Sequence, residues 1–293
     1  MRWIFTSLFV FVISCFSLLI KPFYYKNVLN NKNINIENYQ KIKLLELPMS
    51  ETIIPLGFTS DAKKILGVKI SIGSDLYSLE DISQVPFVVY QLNNGKSELI
   101  EGNIDQLKKL DINGDFLISI KNKETETIDI YALELDNGEL LRYECLSFNT
   151  NANDIFGAYS PNRQKIYFSS DMLGGYGGYD IYEVEHLGAG KWSTPRNLGP
   201  NVNTSGNEIA PFIMSDGLTL FFSRKPSLNN DNYDIYVSTI MDDGTIEVAD
   251  IIDTNINTNG DDLFIRISPN NNKAVYVTKM KNSWCFYEIN FHQ

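Results

Sequence analysis

The chain has little of what metal and nucleophile chemistry normally uses. Among 293 residues there are only two histidines and three cysteines. A zinc site built from four clustered Cys and His ligands is therefore excluded. His292 is the penultimate residue, so a catalytic triad would have to rest on His186, which lies near a turn and reads as a surface residue. Basic residues are also scarce, 25 against 36 acids, for a net charge of -11. A phosphate backbone needs a basic partner surface, which excludes nucleic acid as the ligand. What is present in quantity is apolar: 43% of residues are hydrophobic and 12% aromatic, enough to offset the backbone entropy that keeps polar chains unfolded. On composition the expectation is a protein with no catalytic residues, no metal and no cofactor, and hence not an enzyme.

Residues 1–21 read as a signal or membrane anchor. Ile4 to Ile20 is an apolar run broken only by Thr6, Ser7, Ser14, Cys15 and Ser17, with Arg2 before it and Lys21 after. As a helix it spans about 25 Å, close to a hydrocarbon core. Three readings stay open. The run is an uncleaved single-span anchor, or a lipoprotein signal in which Val12-Ile13-Ser14-Cys15 makes Cys15 the acylated residue, or a plain cleaved signal. All three place the rest of the chain on an export route, tethered to a membrane and facing the periplasm or the cell exterior. Residues 22–40, Asn-rich from Asn27 onward and without hydrophobic period, read as a tether. Of the remaining cysteines, Cys145 and Cys285 fall on non-adjacent repeat units and are expected to be separate buried thiols rather than a disulfide.

Residues 41–293 are a repeat array. Asn201-Val202-Asn203-Thr204-Ser205-Gly206-Asn207-Glu208 recurs 54 positions later as Asn255-Ile256-Asn257-Thr258-Asn259-Gly260-Asp261-Asp262, with a looser copy at 149–154. After each copy comes a short apolar strand, a turn such as Ser215-Asp216-Gly217, and a second strand. Asp-Ile-Tyr then marks a third strand at residues 129–131, 180–182 and 234–236, with Phe286-Tyr287 in the last unit; the tyrosines are 51, 54 and 51 positions apart. Asp-Gly and Asn-Gly turns introduce a fourth strand in two units. Four short strands in about fifty residues is the arithmetic of a β-propeller blade.

Two more worn units precede these. Residues 51–60, 65 onward and 87–92 supply strands of the first blade, and the second begins near Asp105 and turns at Asn113-Gly114. The fold expected is all-β: a five-bladed propeller of four-stranded antiparallel blades after an N-terminal hydrophobic helix. The last blade stops after three strands, and an open array leaves pairing edges exposed. Residues 41–47 have the right length to pair with 285–291, supply the missing strand and close the ring.

From Tyr159 to Ser238 the chain resembles the WD40-like β-propeller repeat of the TolB type. The resemblance rests on the Ser-Pro-Asn-Arg and Ser-Asp-Gly turns, the run from Gly174 to Tyr182 ending Gly-Gly-Tyr-Asp-Ile-Tyr, and Trp192 to Gly199 ahead of the Asn-rich loop. Asn162-Arg163 stands where that pattern has Asp-Gly, and residues 229–233 replace its glycine run. The resemblance implies an exported, envelope-associated protein with a binding role.

Three features invite a functional reading. Gly174-Gly175-Tyr176-Gly177-Gly178 looks like a phosphate loop, but a strand rather than a helix follows it, so it reads as a hairpin. Asp105, Asp154, Glu208 and Asp262 each stand just ahead of an innermost strand and are expected to gather at one mouth of the central channel, with Glu51 set back by two or three positions. There they either bind a cation or a basic peptide, or accept hydrogen bonds from loop N–H groups and order the Asn-rich turns. Asn153, Tyr176, Asn203, Asn207 and Asn257 lie in loops on the same face, the expected docking surface for a protein or peptide partner of the cell envelope, with a basic partner the one the acidic balance favours, while the N-terminal segment meets the membrane. A different class of reading is a propeller glycoside hydrolase, or a carbohydrate-binding module, using the channel-mouth carboxylates.

Overall fold

The computed structural model describes residues 39–71, 81–93, 96–227, 232–252 and 256–291. The expected anchor, Cys15 and all but the end of the tether lie outside the described residues. Among those described, no helix is long and apolar enough to cross a membrane.

Strand β1 (Tyr39–Pro48) leads through a two-residue turn into the first blade: β2 (Glu51–Phe58), β3 (Lys64–Ser71), β4 (Phe87–Asn93) and β5 (Lys96–Gly102). A short helix α1 (Ile104–Leu107) connects it to the second blade, β6 (Gly114–Lys121), β7 (Ile128–Asp136) and β8 (Glu139–Cys145). The third blade is β9 (Asp154–Tyr159), β10 (Lys165–Ser170) and β11 (Asp180–Gly188), with an outer edge split between β12 (Lys191–Trp192) and β13 (Arg196–Asn197). The fourth is β14 (Asn207–Ile213), β15 (Thr219–Lys225), β16 (Asp234–Thr239) and β17 (Asp250–Ile251). In the fifth, β18 (Asp262–Ile267), β19 (Lys273–Lys279) and β20 (Ser283–Phe291) form a sheet whose outer strand is β1. Every pairing is antiparallel, and the architecture is a five-bladed β-propeller.

The strand pairing expected between the two ends of the propeller is present. β1 runs antiparallel to β20 with Lys41 opposite Ile289 and Leu47 opposite Trp284, interrupted by one bulge between Lys43 and Leu45. Strand alternation then sends neighbouring residues to neighbouring blades. On β10, Ile166 and Phe168 pack with Leu117 and Ile130 of the second blade, while Tyr167 packs with Leu220 and Phe222 of the fourth. This is why the strands read as nearly unbroken apolar runs: both faces of each sheet are covered.

The second blade departs from the expected four strands. Ser119 of β6 occupies the place of Ser169 and Ser223, which lie on second strands, so within the described residues this blade has no strand inside β6. The segment expected to form that strand folds as α1 instead. Asn103 and Gln106 form a reciprocal capping box, with the Asn103 side chain accepting from the Gln106 N–H and the Gln106 side chain accepting from the Asn103 N–H. Ile104 and Leu107 then turn into the core.

Candidate functional site

The repeated Asn-rich loop is built the same way in each of its three copies, and its polar groups face the preceding blade. Asn203 brackets Ile181: its Oδ1 accepts from the Ile181 N–H at 2.8 Å and its Nδ2 donates to the Ile181 carbonyl at 3.0 Å. Asn257 does the same to Ile235, and Asn149 to Ile130. Four residues further on, the side-chain Oδ1 of Asn207 accepts from Tyr179 N–H, as Oδ1 of Asn153 does from Ile128 and Oδ1 of Asp261 from Tyr233. The isoleucine of each Asp-Ile-Tyr strand is thus held through both backbone groups by a side chain of the next blade. Asn203 and Asn257 are buried, and Asn153 and Asn207 half-buried. Of the five residues expected at the docking face, only Tyr176 is well exposed.

The carboxylates belong to the same device. Asp154, Glu208 and Asp262 are fully buried. Each accepts from the backbone N–H of a threonine four residues earlier, Thr150 at 2.5 Å, Thr204 at 2.9 Å and Thr258 at 2.5 Å. Directly opposite on the second strand stand Ser170, Arg224 and Thr278. Arg224 Nε lies 3.2 Å from the Glu208 carboxylate, and its guanidinium stacks over Phe222 and Tyr236. Burial raises the pKa of all three acids, and that of Asp262 reaches about 6; repulsion from Asp129, Asp180 and Asp234 of the preceding blades adds to this, while the threonine bonds oppose it.

Asp105 does not join them. It is exposed on α1, because the inner strand it was expected to introduce is absent. Glu51 pairs with Lys69 at 3.2 Å, and Ile53 occupies the place in β2 that the acids hold elsewhere. Among the described residues no three His, Cys, Asp or Glu side chains come together to hold a metal ion.

The glycine run forms the expected hairpin between β10 and β11. Asp180 accepts from Tyr176 N–H at 2.6 Å and Gly177 N–H at 3.2 Å. A Cβ on Gly177 would lie 2.3 Å from the Gly206 carbonyl oxygen, so the close approach of the two loops requires glycine there. The hairpin projects Leu173, fully exposed, beside a cleft of about 440 Å³ lined by Thr127, Asn151, Asn153, Asp171 and Met172. His186 is half-buried against Trp192. The two thiols are unpaired, and Cys145 is exposed rather than buried because it ends the outer strand β8.

Along the axis the channel is plugged. Two residues after each of the acids Asp154, Glu208 and Asp262 the chain bulges with positive φ, at Phe156, Ala210 and Phe264. Each of these N–H groups donates to a serine of the preceding blade, Ser119, Ser169 and Ser223. The bulges turn Phe156 and Phe264 toward each other, with ring centroids 5.0 Å apart, edge to face. On the far side of this plug lies Arg266, which sequence reasoning missed. The signal was available: Arg266 takes the repeat position held by Phe212, Ala158 and Gly57, and is the one charged residue in that set.

Blades, inner strands and a central channel define the class, a five-bladed β-propeller. Among solved structures the chain is similar to TolB from Acinetobacter baumannii, with 18% identity over 83% of this chain and a TM-score of 0.47. It spans 55% of that protein's length. It is also similar to an α-L-arabinofuranosidase from Lactobacillus brevis, with 11% identity, 83% of this chain and 90% of that one, and a TM-score of 0.46. A gluconolactonase from Xanthomonas campestris shows 12% identity over 87% of this chain and 90% of that one, with a TM-score of 0.44. No family model and no curated protein matches the chain. The expectation that the protein is not an enzyme is corrected here. Similar structures include enzymes as well as TolB proteins, and a fold alone does not fix an activity.

Proposed function

We propose that the protein is a binding propeller, tethered to a cell envelope by its N-terminal apolar run, that docks a protein or peptide partner on the face carrying the Asn-rich loops. The observation that carries this reading is the β10–β11 hairpin. It holds Leu173 fully exposed and Tyr176 half exposed on a frame fixed by Asp180, next to an open cleft. A large apolar side chain presented on a rigid loop is a common anchor for recognition, whereas a loop that only connects strands gains nothing by exposing one. The net charge of -11 favours a basic partner. On this reading the buried acids order the loops, and β1 acts as a clasp that closes the ring.

The test is affinity purification from envelope extracts with wild type and the Leu173→Ser/Tyr176→Ser double variant. The reading expects a partner retained by the wild type and by a Lys191→Ala control on an outer blade edge, and lost from the double variant at unchanged melting temperature. A partner bound equally by all three contradicts it. Mass analysis of the mature amino terminus distinguishes acylation at Cys15 from an intact anchor and from cleavage.

A further inference from the structure

Beyond the Phe156–Phe264 plug, toward the turns that join first and second strands, the channel widens into a cavity of about 210 Å³. Two local features create it. With no strand inside β6, Phe116 and Leu117 of the second blade border the cavity directly. The repeat position filled by Phe212 on β14 and Arg266 on β18 holds only Gly57 on β2 and Ala158 on β9.

Arg266 borders this space and is 3% exposed. Its Nη1 donates to the Ile265 carbonyl at 2.9 Å, and its guanidinium lies 5.8 Å from the centre of the Phe212 ring. Among the described residues no carboxylate pairs with it. The one acid in the lining of this cavity, Asp115, is already engaged by Arg163. Burial lowers the Arg266 pKa to about 10, and the group stays charged at neutral pH. A buried cation without a counter-charge is strongly destabilising. The other buried arginine, Arg224, shows the ordinary solution, an ion pair with Glu208 and two stacked rings.

We propose that Arg266 is the anchor of a ligand site in this channel, and that the ligand is a small organic monocarboxylate. A guanidinium offers a planar fork that matches a carboxylate through two parallel hydrogen bonds. The rest of the wall is mixed: Leu56, Phe58, Phe116, Leu117 and Phe212 form an apolar and aromatic part that suits the hydrocarbon or aromatic body of a carboxylate, and Asp115, Tyr159, Ser160 and Arg163 add polar groups. A phosphate dianion needs donors for more oxygens than the Arg266 guanidinium supplies beside Leu56, Phe116 and Phe212, and Arg163 is already paired with Asp115, so its desolvation cost is higher than a monocarboxylate's. At about 210 Å³ the cavity admits a small carboxylate such as benzoate. The site is independent of the docking face, since the aromatic plug separates this cavity from the buried acids.

Calorimetric titration of the purified full-length chain with benzoate, benzamide and inorganic phosphate tests the assignment, on wild type and Arg266→Met. The expected result is benzoate binding to wild type, at least tenfold weaker binding of benzamide, and at least tenfold weaker binding of benzoate to the variant. The variant should melt at or above the wild-type temperature, because an uncompensated charge has been removed. Three results overturn the proposal: no benzoate binding to wild type, phosphate bound in preference to benzoate, or equal benzoate affinity in the variant. A variant that melts several degrees lower identifies Arg266 as a structural residue instead and overturns it as well.

Discussion

The blades are joined in two different ways. Between the second and third, third and fourth, and fourth and fifth blades, the same polar device recurs. An asparagine brackets an isoleucine, a serine hydroxyl accepts from the N–H of a bulged residue, and a buried carboxylate ties the loop together. Around the first blade none of it survives. Pro55 stands at the bulge position and has no N–H to donate, Val277 replaces the serine, and Ile53 replaces the acid. In exchange this seam holds the largest apolar cluster, joining Ile53, Val68 and Phe87 of the first blade to Val277 and Phe286 of the fifth, with Tyr90 and Phe286 rings 5.1 Å apart. The conspicuous motif therefore specifies how one repeat meets the next. Between the first and fifth blades, non-directional burial does the joining.

The seam is where a change should have the largest effect. A chain beginning at residue 49 lacks β1 and leaves the edge of β20 unpaired. We expect it to lose the cooperative thermal transition that a chain beginning at residue 39 retains, as read by circular dichroism. Next, Phe286→Ala removes a ring that is 2% exposed at the centre of the apolar cluster, with an expected loss of about 3–5 kcal/mol in urea unfolding.

The polar interfaces give smaller and more uniform effects. Asn203→Ala and Asn257→Ala each leave a buried isoleucine N–H and carbonyl without partners, so each is expected to cost about 2–4 kcal/mol. The two should also add, because they act at different interfaces. Unequal values would mean that the repeat symmetry of the motif does not extend to its energetics.

Asp262 sharpens the contrast through pH. Its folded-state pKa, about 6, stands above the ordinary value of 3.8, so the folded protein holds a proton more tightly than the unfolded chain. Stability from this group is fully present below pH 3.8 and is lost as pH rises toward 6, by something on the order of 2 kcal/mol. The difference in urea midpoint between wild type and Asp262→Asn, followed from pH 4 to 7, should show that slope; a flat difference contradicts it. Smallest of all, Leu173→Ser should change stability by less than about 0.5 kcal/mol.

Much of this was legible in the sequence because a repeat repeats its physics. The 54-residue spacing located β9, β14 and β18, Asp-Ile-Tyr located the third strands, and a surplus apolar segment at 41–47 located its partner by elimination. What was not legible depended on direction rather than position. An acid ahead of an inner strand can point into a channel or back into its own loop, and only the threonine N–H four residues earlier decides this for Asp154, Glu208 and Asp262. Asp105 misled for a local reason: Asn103 and Gln106 cap a helical turn more strongly than the worn repeat specifies a strand. Arg266 was hidden by its surroundings, since a single charged residue within Leu263-Phe264-Ile265-Arg266-Ile267 looks like ordinary strand alternation until aligned with Phe212.

Native-state hydrogen exchange at the amides of Ile130, Ile181 and Ile235 tests the central claim, that the repeated motif locks blade to blade. If it does, all three amides exchange only through global unfolding, with the same protection as the amides of the apolar seam, and Asn203→Ala releases Ile181 alone to local exchange. Exchange of all three through fast local opening in the wild type would contradict the account.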